Sequence, residues 1–399
     1  MISPRWRAAR GESPRRAPTL LALATAALAC AGSPVAPGAQ VLARLDAAAP
    51  AGPGQLAWSP DGEQLALARP DGLLLLDVER GSTRLLPGAP ALTVDWAPAA
   101  ELLLVEREGA ATRAVALDPA TGQRRTLHAD PALASARWLH GGPEWLAVTA
   151  RREVVSFGTE VRLGLLRGAG GKVATLHSWD DTLPTRDPSV DATGGWLAAV
   201  PNPVDHRLVV PVFHKPPIFS PHLRFVSIDP FDPAPVELGR VEAGLWTAAA
   251  SWAPDGRRLA FAAADGSLRL LHLDGRIEAP AGPARGRHPS FGPRDDVLFL
   301  GGWLVTARGE PLRQLLAGAP GASGLWSPDG HRLAVVDGGR IFVFGGLGGA
   351  APAEAAARRE RAREALWRLG ELRRAELLER RPYRQQRELL LRQLVEVVE

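Results

Sequence analysis

The stretch Trp58-Ser59-Pro60-Asp61-Gly62 decides the fold, because it recurs as Trp252-Ala253-Pro254-Asp255-Gly256 and as Trp326-Ser327-Pro328-Asp329-Gly330. After each glycine come two polar residues, then Leu-Ala and a further apolar residue. Proline presets φ, aspartate bonds the nearby backbone and glycine accepts a positive φ, so each copy predicts a tight turn between two strands. Looser copies centre on the anchor residues Trp96, Trp138, Val190 and Phe291.

The spacing of the seven anchor residues predicts the architecture. Most intervals are about forty residues, which is typical of a four-stranded antiparallel blade. We therefore expect an all-β fold, a seven-bladed β-propeller over residues 41–345, with the aromatic anchors wedged between neighbouring blades. The last copy has residues for three strands, whereas 41–45 precede the first anchor without a blade of their own. Pairing this N-terminal strand with the last blade would close the ring and remove its exposed edges.

The composition changes after Gly345, where a glycine-rich hinge precedes residues 351–399. Leucine and tryptophan there are interspersed among arginine and glutamate, which predicts a tail of two amphipathic α-helices separated at Pro382. Two interpretations stay open at this point. The tail either packs on the propeller, or it binds a partner or self-associates as an oligomerisation module.

The N-terminal region has the pattern of an export signal over residues 1–29, with an arginine-bearing start and an apolar run too short to span a bilayer. The only cysteine, Cys30, follows directly. Ala27-Leu28-Ala29-Cys30 resembles the lipobox of bacterial lipoproteins, which implies acylation of the Cys30 thiol and a tether over residues 30–40. Ala31 favours the periplasmic side of the outer membrane if the host is Gram-negative. The alternative is ordinary cleavage and secretion.

The net charge of +4 does not indicate nucleic-acid binding. Residues 1–29 hold five arginines and one glutamate, so the rest of the chain is near neutral. Without a concentrated basic face there is little counterion release to drive binding to phosphates.

No catalytic or cofactor motif is evident. The sequence contains neither a Gly-x-Ser-x-Gly elbow nor a phosphate-binding Gly-x-x-x-x-Gly-Lys loop. We therefore expect no catalytic residue, no cofactor and no metal ion.

The extra length of the chain lies in two insertions, 176–188 and 201–222. Insertions in repeat proteins map to loops, often on the binding face. The histidines there fit no compact metal-ligand motif, and turn-rich loops contain aspartate in any case. The candidate ligand-binding residues are Trp179, Asp180, Asp181, His206, His214, Lys215 and His222.

The Trp-x-Pro-Asp-Gly-x-x-Leu-Ala units resemble those of the TolB-type propellers, relatives of the WD-repeat propellers. The resemblance covers about residues 41–345. It is strong in three of the seven repeats and weak in the third and fourth repeats along the chain. It implies a periplasmic propeller that binds envelope proteins or peptides without chemistry of its own. The sequence shows no counterpart of that family's separate α/β domain and carries a helical tail instead.

The leading hypothesis is accordingly a non-enzymatic envelope scaffold, tethered through Cys30, that binds a protein or peptide on the face of the insertions. The alternative is a propeller-type hydrolase or lyase that acts on peptide or glycan in the central channel. Asp180, Asp181 or the loop histidines would then carry the reaction.

Overall fold

The computed structural model describes residues 35–46, 53–97, 101–139, 144–155, 158–169, 172–179, 200–214, 222–242, 250–263, 265–294, 296–347 and 353–396. Within these residues, 28 strands form seven four-stranded antiparallel sheets, and two α-helices follow them. The seven-bladed propeller with a helical tail is thus confirmed.

The blades follow the chain in order, each from an inner first strand to an outer fourth strand. Blade 1 is β2 (Leu56–Trp58), β3 (Gln64–Arg69), β4 (Gly72–Asp77) and β5 (Ser82–Pro87). Blade 2 is β6 (Ala91–Trp96), β7 (Leu102–Glu108), β8 (Ala111–Leu117) and β9 (Arg124–Ala129). Blade 3 is β10 (Leu133–Trp138), β11 (Trp145–Val155), β12 (Gly158–Ala169) and β13 (Lys172–Trp179).

The second half of the ring repeats this plan. Blade 4 is β14 (Val200–Pro201), β15 (Leu208–His214), β16 (His222–Asp229) and β17 (Asp232–Glu242). Blade 5 is β18 (Ala250–Trp252), β19 (Arg258–Ala262), β20 (Leu268–His272) and β21 (Ile277–Glu278). Blade 6 is β22 (Ser290–Phe291), β23 (Val297–Leu300), β24 (Trp303–Thr306) and β25 (Pro311–Gln314). Blade 7 is β26 (Ser323–Trp326), β27 (Leu333–Asp337), β28 (Arg340–Phe344) and β1 (Val41–Asp46).

The N-terminal strand closes the ring as expected. β1 pairs antiparallel with β28, from Val41 opposite Phe344 to Asp46 opposite Arg340. The residues just before β1 also lie on the propeller, because the Ala36 amide donates to the Leu315 carbonyl of blade 6 at 2.9 Å. The second half of the segment expected as a tether is therefore in contact with blade 6.

The aromatic anchors lie between neighbouring blades. Trp58 of blade 1 is buried, and its Nε1 donates to the Leu325 carbonyl of blade 7 at 2.9 Å. Trp326 of blade 7 donates in the same way to the Ser290 carbonyl of blade 6 at 3.2 Å. A side chain of this size buries about 150–250 Å², so the anchors contribute strongly to the contact between blades.

The Pro-Asp-Gly turns also join the blades. In blade 1 the Gly62 amide donates to Ser59 at 2.9 Å, and Gly62 adopts a φ of +71° that favours glycine. The Gly62 carbonyl then accepts a hydrogen bond from Arg332 of blade 7 at 2.6 Å. The turn that reverses the chain in one blade thus contacts the equivalent turn of the preceding blade.

Blade 4 departs from the sequence-based expectation. Its anchor position is Pro201, which pairs with Leu208 as Trp58 pairs with Leu65, whereas the expected anchor Val190 lies outside the described residues. The stretch 201–206 is therefore the first turn of blade 4 and not part of an insertion. The aromatic signal failed because a proline occupies the anchor position.

The tail consists of α1 (Ala353–Arg374) and α2 (Arg380–Glu396). Glu376 follows α1 with a φ of +59°, its amide donates to Arg373 at 3.1 Å, and the Leu377 amide donates to Leu372 at 3.0 Å. This pattern is a Schellman C-cap. Pro382 does not separate the helices but lies in the first turn of α2, where its missing N–H leaves no helical bond unmade.

Candidate partner-binding face

The propeller has two ends with different contents. The turns between the first and second strands, including the Pro-Asp-Gly turns, lie at one end, which we call the Pro-Asp-Gly end. The turns between the second and third strands lie at the other end, which we call the ribbon end. The alternation follows from antiparallel strand order, because each strand reverses the direction of the one before it.

At the ribbon end, blade 3 projects a two-stranded extension. β10 pairs with β11 no further than Thr149, and β13 pairs with β12 no further than Leu163. β11 and β12 continue together from Arg151 opposite Arg162 to Val155 opposite Gly158. At about 3.3 Å per residue these pairs extend roughly 15 Å beyond the four-stranded sheet. We call residues 150–155 and 158–163 the blade 3 ribbon.

Blade 4 projects a similar extension beside it. The described part of its first strand, Val200–Pro201, pairs with Val209 and Leu208 of β15. β15 continues to His214, which lies opposite His222 of β16. β17 accompanies β16 on the outer side as far as Glu242. We call residues 210–214 and 222–226 the blade 4 ribbon.

The strand register shows which positions of the blade 3 ribbon lie on the side of blade 4. Val148 and Leu165 are buried in one hydrophobic cluster with Leu208, and Val148 also lines a small interblade void with Leu208. Positions two residues apart share a face of a strand. The positions on this face of the ribbon are Ala150, Arg152, Val154, Thr159, Val161 and Leu163.

The same reasoning applies to blade 4. Leu208 lies toward blade 3, whereas Phe225 lies toward blade 5, where its ring is 4.9 Å from that of Phe261. The positions of the blade 4 ribbon on the Leu208 face are Val210, Val212, His214, His222, Arg224 and Val226. The two ribbons therefore present adjoining faces across the boundary between blades 3 and 4.

Charge is segregated between the two faces of the blade 3 ribbon. The face adjoining blade 4 has Arg152 and no acidic residue, whereas the opposite face has Glu153 and Glu160 with Arg151 and Arg162. The described contact of Arg151 agrees with this assignment, because its Nη2 is 3.1 Å from a carboxylate oxygen of Asp130 in blade 2. One face is thus apolar and cationic, and the other is mixed.

The adjoining face of the blade 4 ribbon has a mixed set of positions. Arg224 and the two histidines occur there among valines, and β15 and β16 contribute no aspartate or glutamate to it. On β17, Glu242 lies opposite His222, Arg240 opposite Arg224 and Glu237 opposite Val226. Register partners share a face of the sheet, so this face has positions of both charges.

Three of the sequence-based candidates come together at this end. Trp179 is the last residue of β13 and lies opposite Leu163, on the face that adjoins blade 4. His214 and His222 are register partners on the blade 4 ribbon. The candidates Asp180, Asp181 and Lys215, and the expected lipid-attachment residue Cys30, lie outside the described residues.

His206 does not belong with the other histidines. It lies in the turn between β14 and β15, at the Pro-Asp-Gly end and roughly 25 Å along the strand from His214. Its side chain is 2% exposed, and its ring is 5.2 Å from the ring of Trp367 in α1, edge to face. The grouping of the three histidines on one ligand-binding loop is therefore corrected: His206 belongs to the contact with the tail.

The tail is held on blade 4 by a charge cluster, buried in part, in which three aspartates of the blade contact arginines and a tyrosine of α2. We call this set the tail-docking cluster: Asp205, Asp229, Asp232, Arg380, Tyr383, Arg384 and Arg387. The Asp205 side chain is fully buried, and its Oδ2 accepts hydrogen bonds from Arg387 at 2.9 Å and Arg207 at 2.5 Å. Burial opposes its ionisation, but the two guanidinium groups outweigh that effect and hold the pKa of Asp205 below its ordinary value.

The other members complete the cluster. The Tyr383 hydroxyl donates to Asp229 at 2.7 Å, and burial together with the Asp229 charge raises the pKa of this tyrosine. Asp232 accepts hydrogen bonds from Arg380 at 2.9 Å and Arg384 at 2.8 Å. These bonds lower the pKa of Asp232 despite its burial.

Helix α1 contacts blades 3 and 4 through apolar and ionic groups. Gly370 lies against Phe231, and a Cβ at this position would be 2.4 Å from the ring. Glu144 of blade 3 is buried and accepts hydrogen bonds from Arg167 and from Arg374 of α1. Of the two interpretations of the tail, the structure therefore shows packing on the propeller, through the sides of α1 and α2 that contact blades 3 and 4.

Sequence reasoning missed the tail-docking cluster, although one signal was present. Arg380, Arg384 and Arg387 have the i, i+4, i+7 spacing that places residues on one helix face, and Tyr383 is the only tyrosine of the chain. Their acidic partners are far away in sequence, so the spacing did not reveal what the arginines contact.

Two searches of the described residues bear on function. Within them, no three or more His, Cys, Asp or Glu side chains are grouped to hold a metal ion. Neither described helix combines the length and the hydrophobicity that a membrane crossing requires.

Comparisons with known proteins found similar structures but no similar sequence. No protein-family model and no curated protein sequence matches the chain. TolB from Acinetobacter baumannii is similar in structure at 16% identity, with 56% of this chain and 52% of that chain covered and a TM-score of 0.38. An acylaminoacyl peptidase from Pyrococcus horikoshii is similar at 13% identity, with 71% of this chain and 48% of that chain covered and a TM-score of 0.47.

An oligogalacturonate lyase solved in complex with manganese is 13% identical, with 75% of this chain and 77% of that chain covered and a TM-score of 0.46. The chain spans about half the length of the TolB and peptidase chains. The described part of the chain is a seven-bladed β-propeller that carries a helical tail on blades 3 and 4.

Proposed function

We propose that this chain is a non-enzymatic β-propeller of the bacterial cell envelope, held at the membrane through an acylated Cys30, that binds a protein or peptide partner. The proposed binding surface is the ribbon end of blades 3 and 4. The location and the anchor are supported by the apolar run and the lipobox-like residues before Cys30.

The observation that carries the proposal is the blade 3 ribbon. Beyond Thr149 and Leu163 its two strands pair only with each other among the described residues. A two-stranded hairpin is marginally stable in water, and a third strand or a covering surface stabilises it. A projecting ribbon that no described strand flanks beyond Thr149 and Leu163 is therefore well suited to receive a partner.

The opposite end of blade 4 supports the same choice of surface. There the tail covers the first turn, and the buried residues Asp205, His206 and Phe231 are in contact with α1 or α2. A partner at that end would have to displace the tail-docking cluster. The tail contacts described above all lie at that end, so a partner at the ribbon end would not compete with them.

Trimming the ribbon tests the proposed surface. Residues 151–162 are replaced by Asn-Gly, a dipeptide suited to a two-residue hairpin turn between Ala150 and Leu163. We expect the trimmed protein to keep its circular dichroism spectrum and its thermal midpoint while it loses crosslinking to its partner in host envelopes. Arg381→Glu, an exposed change on α2, is the control and should leave crosslinking intact. Equal crosslinking by the trimmed and intact proteins would refute the proposed surface.

The anchor is tested separately by mass spectrometry of the mature N-terminus and by membrane fractionation of Cys30→Ser. We expect an acylated N-terminal cysteine in the original protein and release of the variant from the membrane. An unmodified mature terminus beyond Cys30 would contradict the anchor and favour secretion.

A further inference from the structure

The segment before β1 shows at which end of the propeller the N-terminal chain arrives. Val35 forms an isolated antiparallel bridge with Leu316. The Ala36 amide donates to the Leu315 carbonyl at 2.9 Å. The Leu315 and Leu316 amides donate to the carbonyl of Gly302, in the turn between the second and third strands of blade 6. Val35 and Ala36 therefore lie at the ribbon end.

From there the chain runs along the outer side of the ring to the opposite end. The Gly38 carbonyl accepts a hydrogen bond from Arg313 of β25 at 2.6 Å, and Ala39 packs against the apolar cluster of blades 6 and 7. The Gln40 carbonyl accepts a hydrogen bond from the Gly345 amide at 3.0 Å, just after β28 reaches the Pro-Asp-Gly end. These contacts hold residues 35–40 against the propeller, so any slack toward the anchor begins at the ribbon end.

The tether that remains between the propeller and the expected anchor is short. Only residues 31–34 separate Cys30 from Val35, so the two Cα atoms lie at most about 18 Å apart. To rest the Pro-Asp-Gly end on the membrane, the tether would have to span roughly 17 Å of strand and about 10 Å of docked helix. It is too short for that orientation, but it reaches the membrane readily when the ribbon end is turned toward it.

We infer that the ribbon end faces the membrane that carries the Cys30 anchor, and that the partner bound at blades 3 and 4 is a protein held at that same membrane. This inference rests on the proposed function, because it uses both the acylated cysteine and the ribbon surface. The blade 3 ribbon extends roughly 15 Å beyond its sheet, which is about the reach of the tether. With the ring parallel to the membrane, a protein that contacts the ribbon does so within about 20 Å of the membrane surface.

Two cysteine variants in blade 2 measure the orientation. Ala110 lies in the turn between β7 and β8, Ala120 lies in the turn between β8 and β9, and both are exposed. The seven residues of β8 separate the two turns by roughly 23 Å. Cys30 is the only cysteine of the chain, so with its thiol acylated each variant has a single free thiol for a fluorescent donor. The variants are Ala110→Cys at the ribbon end and its matched control Ala120→Cys at the other end.

The acylated mature variants are added to preformed vesicles of phosphatidylethanolamine and phosphatidylglycerol that contain a lipid with an acceptor on its headgroup. We expect at least about twofold more energy transfer from position 110 than from position 120, because the length of β8 separates the two donors in height. Equal transfer would indicate that the side of the ring faces the membrane, and more transfer from position 120 would indicate the reverse orientation. Either result would overturn the inference.

A protease site inserted after Gly32 tests where the partner is held. The protein is crosslinked to its partner in host envelopes, the tether is then cleaved, and the membranes are sedimented. We expect the free protein to be released and the crosslinked product to stay with the membranes, because the partner holds it there. Release of the product together with the free protein would refute a membrane-held partner.

Failure of the proposed function gives a different result. An unacylated mature terminus, or the absence of any crosslinked product, would contradict the proposed function and this inference with it. If Cys30 is acylated and crosslinking occurs while the two donors transfer equally, only this inference is wrong.

Discussion

The substitution Arg387→Met tests how the tail is held on the propeller. The Arg387 side chain is 9% exposed, and it lies 2.9 Å from Asp205 and 3.4 Å from Asp229. Methionine keeps much of the length of the side chain and removes its charge. The change therefore leaves two carboxylates at the contact, one of them fully buried, without the guanidinium that lies between them.

The expected cost follows from the burial of the pair. Removing one partner of a buried ion pair costs about 3–5 kcal/mol, because the other charge stays desolvated. Asp205 keeps Arg207 at 2.5 Å, so we expect the lower end of that range, about 3 kcal/mol. This corresponds to a shift of about a hundredfold in the equilibrium between docked and undocked tail.

Amide hydrogen exchange of α2 measures this equilibrium directly, because local opening exposes the helix without unfolding the propeller. Arg380→Met is the matched control on the same helix. Its side chain is 49% exposed, and its partner Asp232 keeps Arg384, so the expected cost is below about 1 kcal/mol. Equal loss of protection in the two variants, or no loss in Arg387→Met, would refute the argument from burial.

Three further outcomes are expected in the same exchange measurement. Glu376→Gly should increase protection of the tail by about 1 kcal/mol, since glycine accepts the positive φ of the C-cap without the strain of a side chain; unchanged protection would contradict a strained cap. Gly370→Ala should reduce protection by about 1–3 kcal/mol, because its Cβ would overlap the Phe231 ring, and an increase would show that the ring moves aside. The lowered pKa values of Asp205 and Asp232 mean that their contribution to docking is present above the unfolded pKa and is lost as pH falls through the folded value. Protection should therefore hold from pH 7 to about pH 5 and decline only below about pH 4, and a loss near pH 6 would point to another group.

Most of the fold could be predicted because its determinants are local. The residues from Ser59 to Gly62 make a turn whose hydrogen bonds lie within one segment, and the alternation around it defines the strands. Closure of the ring could also be predicted, because the sequence contains one strand too many at its start and one strand too few in the last blade. The anchor of blade 4 was placed at the wrong residue, because Pro201 occupies the position that is aromatic in most other blades.

The contacts at the two ends of blade 4 are of a different kind. His206 and His214 are close in the sequence, yet a strand separates them, so sequence distance alone suggested a shared loop that does not exist. Asp205 and Arg387 are 182 positions apart, and no local pattern links them. Placing either residue required the register of β15 and the position of α2.

The departure of blade 4 from the repeat accounts for both of these contacts. In blades 1 and 7 a tryptophan at the anchor position bonds the preceding blade, but blade 4 has Pro201 there. Trp367 of the tail instead lies 5.2 Å from the His206 ring and 5.1 Å from the Phe231 ring, so an aromatic side chain from another part of the chain packs against the turns of this blade. The departure from the repeat at Pro201 thus coincides with the place where the tail docks on the propeller.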